Sequence, residues 1–376
     1  MTSAWNQPSP FIFDGPLPPD ELTGRTDEAE TLRAWARAGR STALVAPRRF
    51  GKTSLIGRLA ADAEQQDAMP TVTVDLYEVA SLADFVIRLE RAWARHAPQR
   101  LRRRIAEVFA GAQVGLSLVG TGFTVRLAER PDTDPLPALH TLLDLPLQLA
   151  GKEDRVLIVF DEFQSLAGVP GAEALLRSHA QHQRTSASYL FAGSEPGMIA
   201  AAFDRVARPF YGQVERFRLG RLPAAALAER ISRGFAENAR SADEVLGDVI
   251  AISERHPQRS MLLAHLLFAR TPPGGRASAQ LLRLAVDDAL DRVDPEARAV
   301  LSGLEAGERK ALRATAEYGS PLSSRAAHVL DLPKSTAQGA ARKLVDVGLL
   351  EREDRTWRVV DPLLARWLRR EYALRA

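Results

Sequence analysis

Nine consecutive residues, Ala46-Pro47-Arg48-Arg49-Phe50-Gly51-Lys52-Thr53-Ser54, have the types and spacing of a loop that holds phosphate. In the pattern G-x-x-x-x-G-K-[ST], backbone N–H groups cradle phosphate oxygens, the lysine reaches the β and γ oxygens, and the hydroxyl binds Mg2+. Lys52 and Thr53 fit those roles. Ala46 stands where the pattern has its first glycine, which restricts the backbone there and slightly lengthens the approach to phosphate. Further along, the apolar run Val156-Leu157-Ile158-Val159-Phe160 ends in Asp161-Glu162. An acid pair at the end of such a strand suits an Mg2+ ligand, Asp161, and a residue that polarises an attacking water, Glu162. The competing readings are a chance match in a basic turn for the first segment and two solvated acids capping a helix for the second.

The elements around these segments are the ones such chemistry needs. Residues 41–46 read as a buried parallel strand and 53–64 as a helix, so a bound anion would sit at a helix N-terminus. Wholly apolar strands belong in a parallel sheet covered on both faces. Further strands are read at 71–75, 188–194 and 214–219, with helices at 27–38, 81–109 (one or two, with a basic stretch at 100–104) and 135–149. Residues 113–127 alternate weakly around Gly120-Thr121-Gly122 and predict an inserted hairpin. Ser194, at the end of the strand beside Asp161, is a candidate sensor of bound nucleotide or else a strand-end cap. Arg208 is a candidate cation for the transition state, in cis or across a subunit interface.

At 376 residues the chain can bury two or three cores. With 45% hydrophobic and 26% charged residues it has ordinary globular composition. No apolar run approaches a membrane span, and the first residues lack the charged and apolar regions of a signal peptide, which predicts a cytoplasmic protein without a membrane partner. The absence of cysteine excludes disulfides, thiol catalysis and cysteine-ligated zinc. Net charge is only +3, but from Glu308 onward 14 Lys and Arg face 9 Asp and Glu, so positive charge concentrates at the C-terminal end.

The domain order predicted is an extended arm over 1–24, a P-loop ATPase domain over 25–221 with the hairpin insertion at about 111–130, a helical lid over 222–305, and a winged helix-turn-helix with a final helix over 306–376. The lid reads as helical from 223 to 304 with breaks at His256-Pro257 and Pro272-Pro273-Gly274-Gly275. Arg259, at the start of the helix after His256-Pro257, is placed to reach back to the phosphates or to be a surface or capping arginine. In the last domain, helices at 308–317, 323–330 and 334–347 precede a two-stranded wing. The third helix would offer Lys334, Ser335, Thr336, Gln338 and Arg342 to the major groove of duplex DNA, and Arg355 or Arg358 on the wing would touch phosphate. Such modules also serve as protein-contact domains.

Pro47-Arg48-Arg49-Phe50-Gly51-Lys52-Thr53-Ser54-Leu55, Phe160-Asp161-Glu162-Phe163-Gln164, Phe191-Ala192-Gly193-Ser194, Phe210-Tyr211-Gly212, His256-Pro257 and Asp361-Pro362-Leu363-Leu364 resemble the archaeal-type ATPases of the AAA+/STAND group. The resemblance covers the chain from about Phe11. It implies an ASCE-type αβα parallel sheet, a helical lid and a C-terminal winged helix, an order similar to that of origin-recognition-type initiators. It also implies ATP and Mg2+ as cofactors, Gly24, Arg25 and Pro257 near the adenine, and Gln164 and Ser194 near the γ-phosphate. Ala46 and the hairpin insertion depart from the family pattern.

The function expected is an ATP-driven switch that couples nucleotide state to DNA binding or assembly through the winged helix. The alternatives are a DNA-assembled, initiator- or transposition-like homo-oligomer, and a non-hydrolysing nucleotide-binding scaffold whose winged helix contacts a protein partner.

Overall fold

The computed structural model describes residues 8–96, 116–119, 122–125, 134–149, 155–204, 210 and 212–373. They divide into two compact units, one made of Asp27–Ala46 and Lys52–Leu219, the other of Met1–Thr26, Pro47–Gly51 and Gly220–Ala376.

The first unit is built on a parallel sheet of β1 (Thr42–Val45), β2 (Thr71–Asp75), β5 (Val156–Asp161), β6 (Ala187–Gly193) and β7 (Glu215–Arg218), in the order β2-β5-β6-β1-β7. The central strands carry no alternation because both faces are covered: β6 is buried throughout, and β5 is buried at every residue except Asp161. The β7 edge carries Glu215, Arg216 and Arg218, charges that discourage edge-to-edge pairing. Beneath the end of β5 the rings of Phe163, Phe191, Phe203 and Phe210 pack with centroids 4.8–5.8 Å apart. Helices α1 (Thr26–Arg37) and α2 (Lys52–Asp67) run close to the spans read from the sequence, and α3 (Leu82–His96) covers the first part of the span read at 81–109. The basic stretch 100–104 and the other residues read as helix up to 109 lie outside the described residues. β3 (Leu116–Val119) pairs antiparallel with β4 (Gly122–Val125) as a separate hairpin.

The strand order matters more than the strands. β6 lies between β1, which leads into the phosphate loop, and β5, which ends in Asp161. The C-terminal ends of parallel strands open onto one edge of the sheet, the usual position for ligand in open α/β folds.

The second unit is helical. Helices Ala224–Ala236, Leu246–Ser253, Pro257–Arg270 and Ala279–Ser302 precede Ala306–Tyr318, Ser324–Val329 and Lys334–Asp346, the antiparallel pair β8 (Leu350–Glu353) and β9 (Thr356–Val359), and a last helix Pro362–Ala373. Three helices followed by a two-stranded ribbon is the winged-helix order. The sequence reading missed one interruption, at 237–245, where Ala239 adopts φ 52° and Ser241 bridges to Arg276. Conversely, Pro295 lies inside the helix Ala279–Ser302 without ending it. The arm is not merely extended: Phe11 is fully buried against Phe235 and Phe268, with centroids at 5.6 and 6.0 Å.

Candidate functional site

In the sheet unit, Lys52 occupies the first position of α2, and its side chain is only 7% exposed. Its Nζ donates to a carboxylate oxygen of Asp161 and, at 2.7 Å, to Oε1 of Glu162. The other Glu162 oxygen accepts from the Gln164 amide and, at 2.8 Å, from the Ser194 hydroxyl. The strand order explains this convergence, because Ser194 follows the strand that borders β5. Glu162 itself sits at φ 53°, ψ 42°, in the left-handed region that non-glycine residues seldom occupy. Buried Phe160 and Phe163 flank it, and a strained backbone persists only where the surrounding structure over-determines it. A side chain at Gly193 would displace the same cluster, since a Cβ there would clash with Gln164 Oε1 and with Ile199.

The two carboxylates shift in opposite directions. Burial raises the pKa of Asp161 and outweighs the attraction of Lys52, with Glu162 adding repulsion. Burial would also raise Glu162, but Lys52, Gln164 and Ser194 together hold it below the ordinary glutamate value. Glu162 thus gives up its proton more readily than Asp161.

The loop before Lys52 has the form of an anion cradle. Gly51 takes φ +83°, with no atom within 4 Å of where a Cβ would stand, and Arg49 takes φ 69°. The first turn of α2 contains no acidic residue, leaving its N-terminal N–H groups to an anion. Thr53 is exposed, Ser54 is buried, and Ala46 is fully buried, its N–H directed at the Gly193 carbonyl. These features fit a magnesium-bound nucleoside triphosphate: Lys52 has two carboxylates to exchange for phosphate oxygens, and Thr53 and Asp161 offer oxygen ligands of the kind Mg2+ takes.

In the helical unit, the loop residues Arg49 and Phe50 meet a network that sequence reasoning did not foresee. Arg49 pairs with Glu296 at 2.7 Å, and Glu296 also accepts from Arg259 at 3.2 Å. Arg259, 3% exposed, directs Nε and Nη2 at one oxygen of Asp361, while the other Asp361 oxygen caps the last helix through the N–H groups of Leu363 and Leu364. Burial alone would raise the Asp361 pKa, but Arg259 outweighs it and holds the carboxyl low. Arg221 makes a parallel tie, binding Glu351 at 2.7 Å and the Val360 carbonyl at 2.9 Å. Phe50 packs edge-on against His256, with centroids 4.8 Å apart. Arg25 is buried and donates to the carbonyls of Phe50 and Gly220. Gly24 takes φ +62°, and a Cβ there would meet Ala226 at 2.8 Å. Pro257 starts the helix that His256 caps by accepting from the Arg259 N–H. Nothing in the sequence paired Asp361 with Arg259.

His256 is wholly enclosed, and burial pushes its pKa down to about 3, with Asp361 opposing and Arg259 and Arg221 reinforcing the shift. An unfolded histidine protonates near 6.5, so unfolding takes up a proton between those values and stability falls as pH drops through that window. From pH 6.5 to pH 5 the expected loss from this residue is about 2 kcal/mol. Urea titrations across that range should give a flatter pH dependence for His256→Asn than for the parent. Equal slopes would show that His256 protonates in the folded protein.

No protein-family model matches the chain, and no curated protein matches it significantly. Solved structures do. A Walker-type ATPase of Pyrococcus abyssi superposes with a TM-score of 0.68 at 17% identity, over 96% of this chain and 99% of that one. The fold is that of an archaeal-type P-loop ATPase. The ORC2 protein of Aeropyrum pernix, in its ADPNP–ADP complexes, gives a TM-score of 0.55 at 15% identity, over 97% of this chain and 99% of that one. Its ADP form gives 0.53 at 14% identity, over 96% and 98%. The similarity to this P-loop ATPase fold therefore extends across both units.

On the winged-helix part of this ATPase fold, Lys334, Ser335, Thr336, Gln338 and Arg342 are all exposed on the helix Lys334–Asp346. The ribbon turn is formed by Asp354 and Arg355 at φ 46° and 70°, positions that favour Asn-Gly. Arg355 stands exposed at the tip despite that backbone. Arg358 is partly exposed and 3.9 Å from Glu353. Arg208 lies outside the described residues. No helix among the described residues is long and apolar enough to cross a membrane.

Proposed function

We propose that the chain binds and hydrolyses ATP with Mg2+ and uses the nucleotide state to control how its winged helix engages duplex DNA. The observation that carries this reading is the buried Lys52 shared by Asp161 and Glu162 at the N-terminus of α2. An amine in that position can exchange a carboxylate for a phosphate oxygen. Thr53 and Asp161 would hold the metal, which when bound supplies charge neutralisation at the phosphate oxygens. Glu162, kept ionised and aimed by Gln164 and Ser194, would orient water and accept its proton. The nucleotide complexes of the similarly folded Aeropyrum pernix protein support nucleotide binding. The exposed polar row on the helix Lys334–Asp346 and the arginine at the wing tip favour DNA as the output.

The test is steady-state ATP hydrolysis by the purified chain with and without duplex DNA, with Glu162→Gln as the blank. Turnover above the blank, raised by duplex and losing that rise in Lys334→Ala/Arg342→Ala, is expected. Turnover equal to the blank would overturn the enzymatic reading, and turnover indifferent to duplex would overturn the DNA output.

A further inference from the structure

Three of the chain's seven histidines, His140, His179 and His182, fall on one side of the sheet unit and take no part in the nucleotide reading. His140 lies on the helix Leu136–Leu149 and His179 on the helix Ala172–Ala180. His140 Nδ1 and His179 Nε2 face each other at 2.9 Å. The other nitrogen of His179, Nδ1, meets Asp144 Oδ1 at 2.7 Å. Behind Asp144, buried Gln183 reaches the same carboxylate at 3.4 Å and the Leu143 carbonyl at 2.8 Å, and the Tyr189 hydroxyl donates to Gln183.

We propose that His140 and His179 are the protein ligands of a site for a divalent transition-metal ion, Zn2+ being the reference case. A metal about 2.0–2.1 Å from each nitrogen subtends an angle of about 90° across a separation of this size, and spreading the rings by a few tenths of an ångström gives tetrahedral geometry. A carboxylate on the remote nitrogen of a histidine is the outer-shell arrangement that fixes the tautomer and raises the basicity of a metal-binding imidazole. Here that carboxylate is itself reached by a buried amide, which the Tyr189 phenol holds in turn, a degree of support that an incidental contact between surface histidines does not need. His140 is exposed, which gives an entry path, and His179 is nearly buried, which limits its disorder. Imidazole pairs select Zn2+, Cu2+ or Ni2+ over Mg2+, which takes oxygen. Among the described residues no three His, Cys, Asp or Glu side chains already converge as a metal cluster. Solvent therefore completes the coordination, together with exposed His182, one turn beyond His179, after a change of rotamer. The ion joins two helices and is independent of Lys52 and its carboxylates.

Calorimetric titration of the untagged full chain with zinc chloride, without nucleotide, tests this. One saturable zinc per chain is expected, abolished by His140→Ala and by His179→Ala, weakened roughly 10- to 100-fold by Asp144→Asn, and unchanged by His328→Ala on the helical unit. Electron paramagnetic resonance of the Cu2+-loaded parent should show at least two nitrogen ligands, a readout that does not depend on a variant folding. Absence of saturable binding, binding that survives His140→Ala, or copper spectra without nitrogen coordination would overturn the site and leave the pair as a plain hydrogen bond.

Discussion

Replacing Lys52 by Ala is expected to abolish ATP binding and, in nucleotide-free protein, to cost about 3–5 kcal/mol of stability, the usual penalty for stripping one partner from a buried ion cluster. The side chains of Lys52, Asp161 and Glu162 are 7%, 15% and 20% exposed, so water replaces little of what the amine supplies. Without it, two carboxylates joined through consecutive residues face each other in a low-dielectric pocket, and one of them takes up a proton. The penalty should therefore shrink as pH falls towards the carboxylate range. Urea unfolding at pH 7.5 and pH 5 reads that trend, and a fluorescent ATP analogue reads binding. Glu162→Gln makes the contrast: binding persists, because Lys52 and the loop are intact, while turnover drops roughly 10²- to 10⁴-fold with loss of the general base. A Lys52→Ala protein that still held ATP normally would sink the phosphate-loop reading. A Glu162→Gln protein with parental turnover would move the base elsewhere.

The second large effect is expected at Asp361, far from Lys52 in sequence. Asp361→Ala removes the main partner of a buried arginine and also the cap of the last helix, so about 3–5 kcal/mol should be lost from the helical unit. Asp361→Asn separates these roles, because asparagine caps as well as aspartate does but cannot neutralise Arg259. With Asp361 neutral, Arg259 keeps only the half-exposed Glu296, whose pairing with Arg49 is worth little by itself. The buried charge of Arg259 is then left nearly unmatched while the cap survives. Urea unfolding should therefore show Asp361→Asn recovering about 1 kcal/mol of the loss seen in Asp361→Ala, the usual worth of an N-cap, with the rest of the loss due to the broken ion pair. Stability of Asp361→Asn equal to that of the parent would show that the Arg259–Asp361 pair contributes no net stability.

The sheet was legible because its signals are local. Val156–Phe160 and the strand before Ser194 are apolar without alternation, a pattern that only a strand covered on both faces tolerates, and the spans found differ from those read by a residue or two. The winged-helix elements were legible for a similar reason, since helical periodicity, a tight turn and a short ribbon leave local traces. The helical segment was less so. Its interruption at 237–245 contains neither Pro nor Gly, and Pro295 sits in a helix that packing sustains against the lost N–H.

By itself the sequence determined the ingredients: the Gly51-Lys52-Thr53 pattern, the acids at 161–162, the strand and helix types, and the positive excess near the C-terminus. Each depends on residues within a few positions of one another, where backbone geometry and periodicity act directly. Only the tertiary structure decided the partnerships. Ser194 reaches Glu162 because its strand lies beside β5, Arg259 is matched to Asp361 rather than left to solvent, and His140 faces His179 across two helices. Such pairings bring together residues up to about a hundred positions apart, and the strand order and helix packing that create them are set by burial summed over the whole core, which no local pattern encodes.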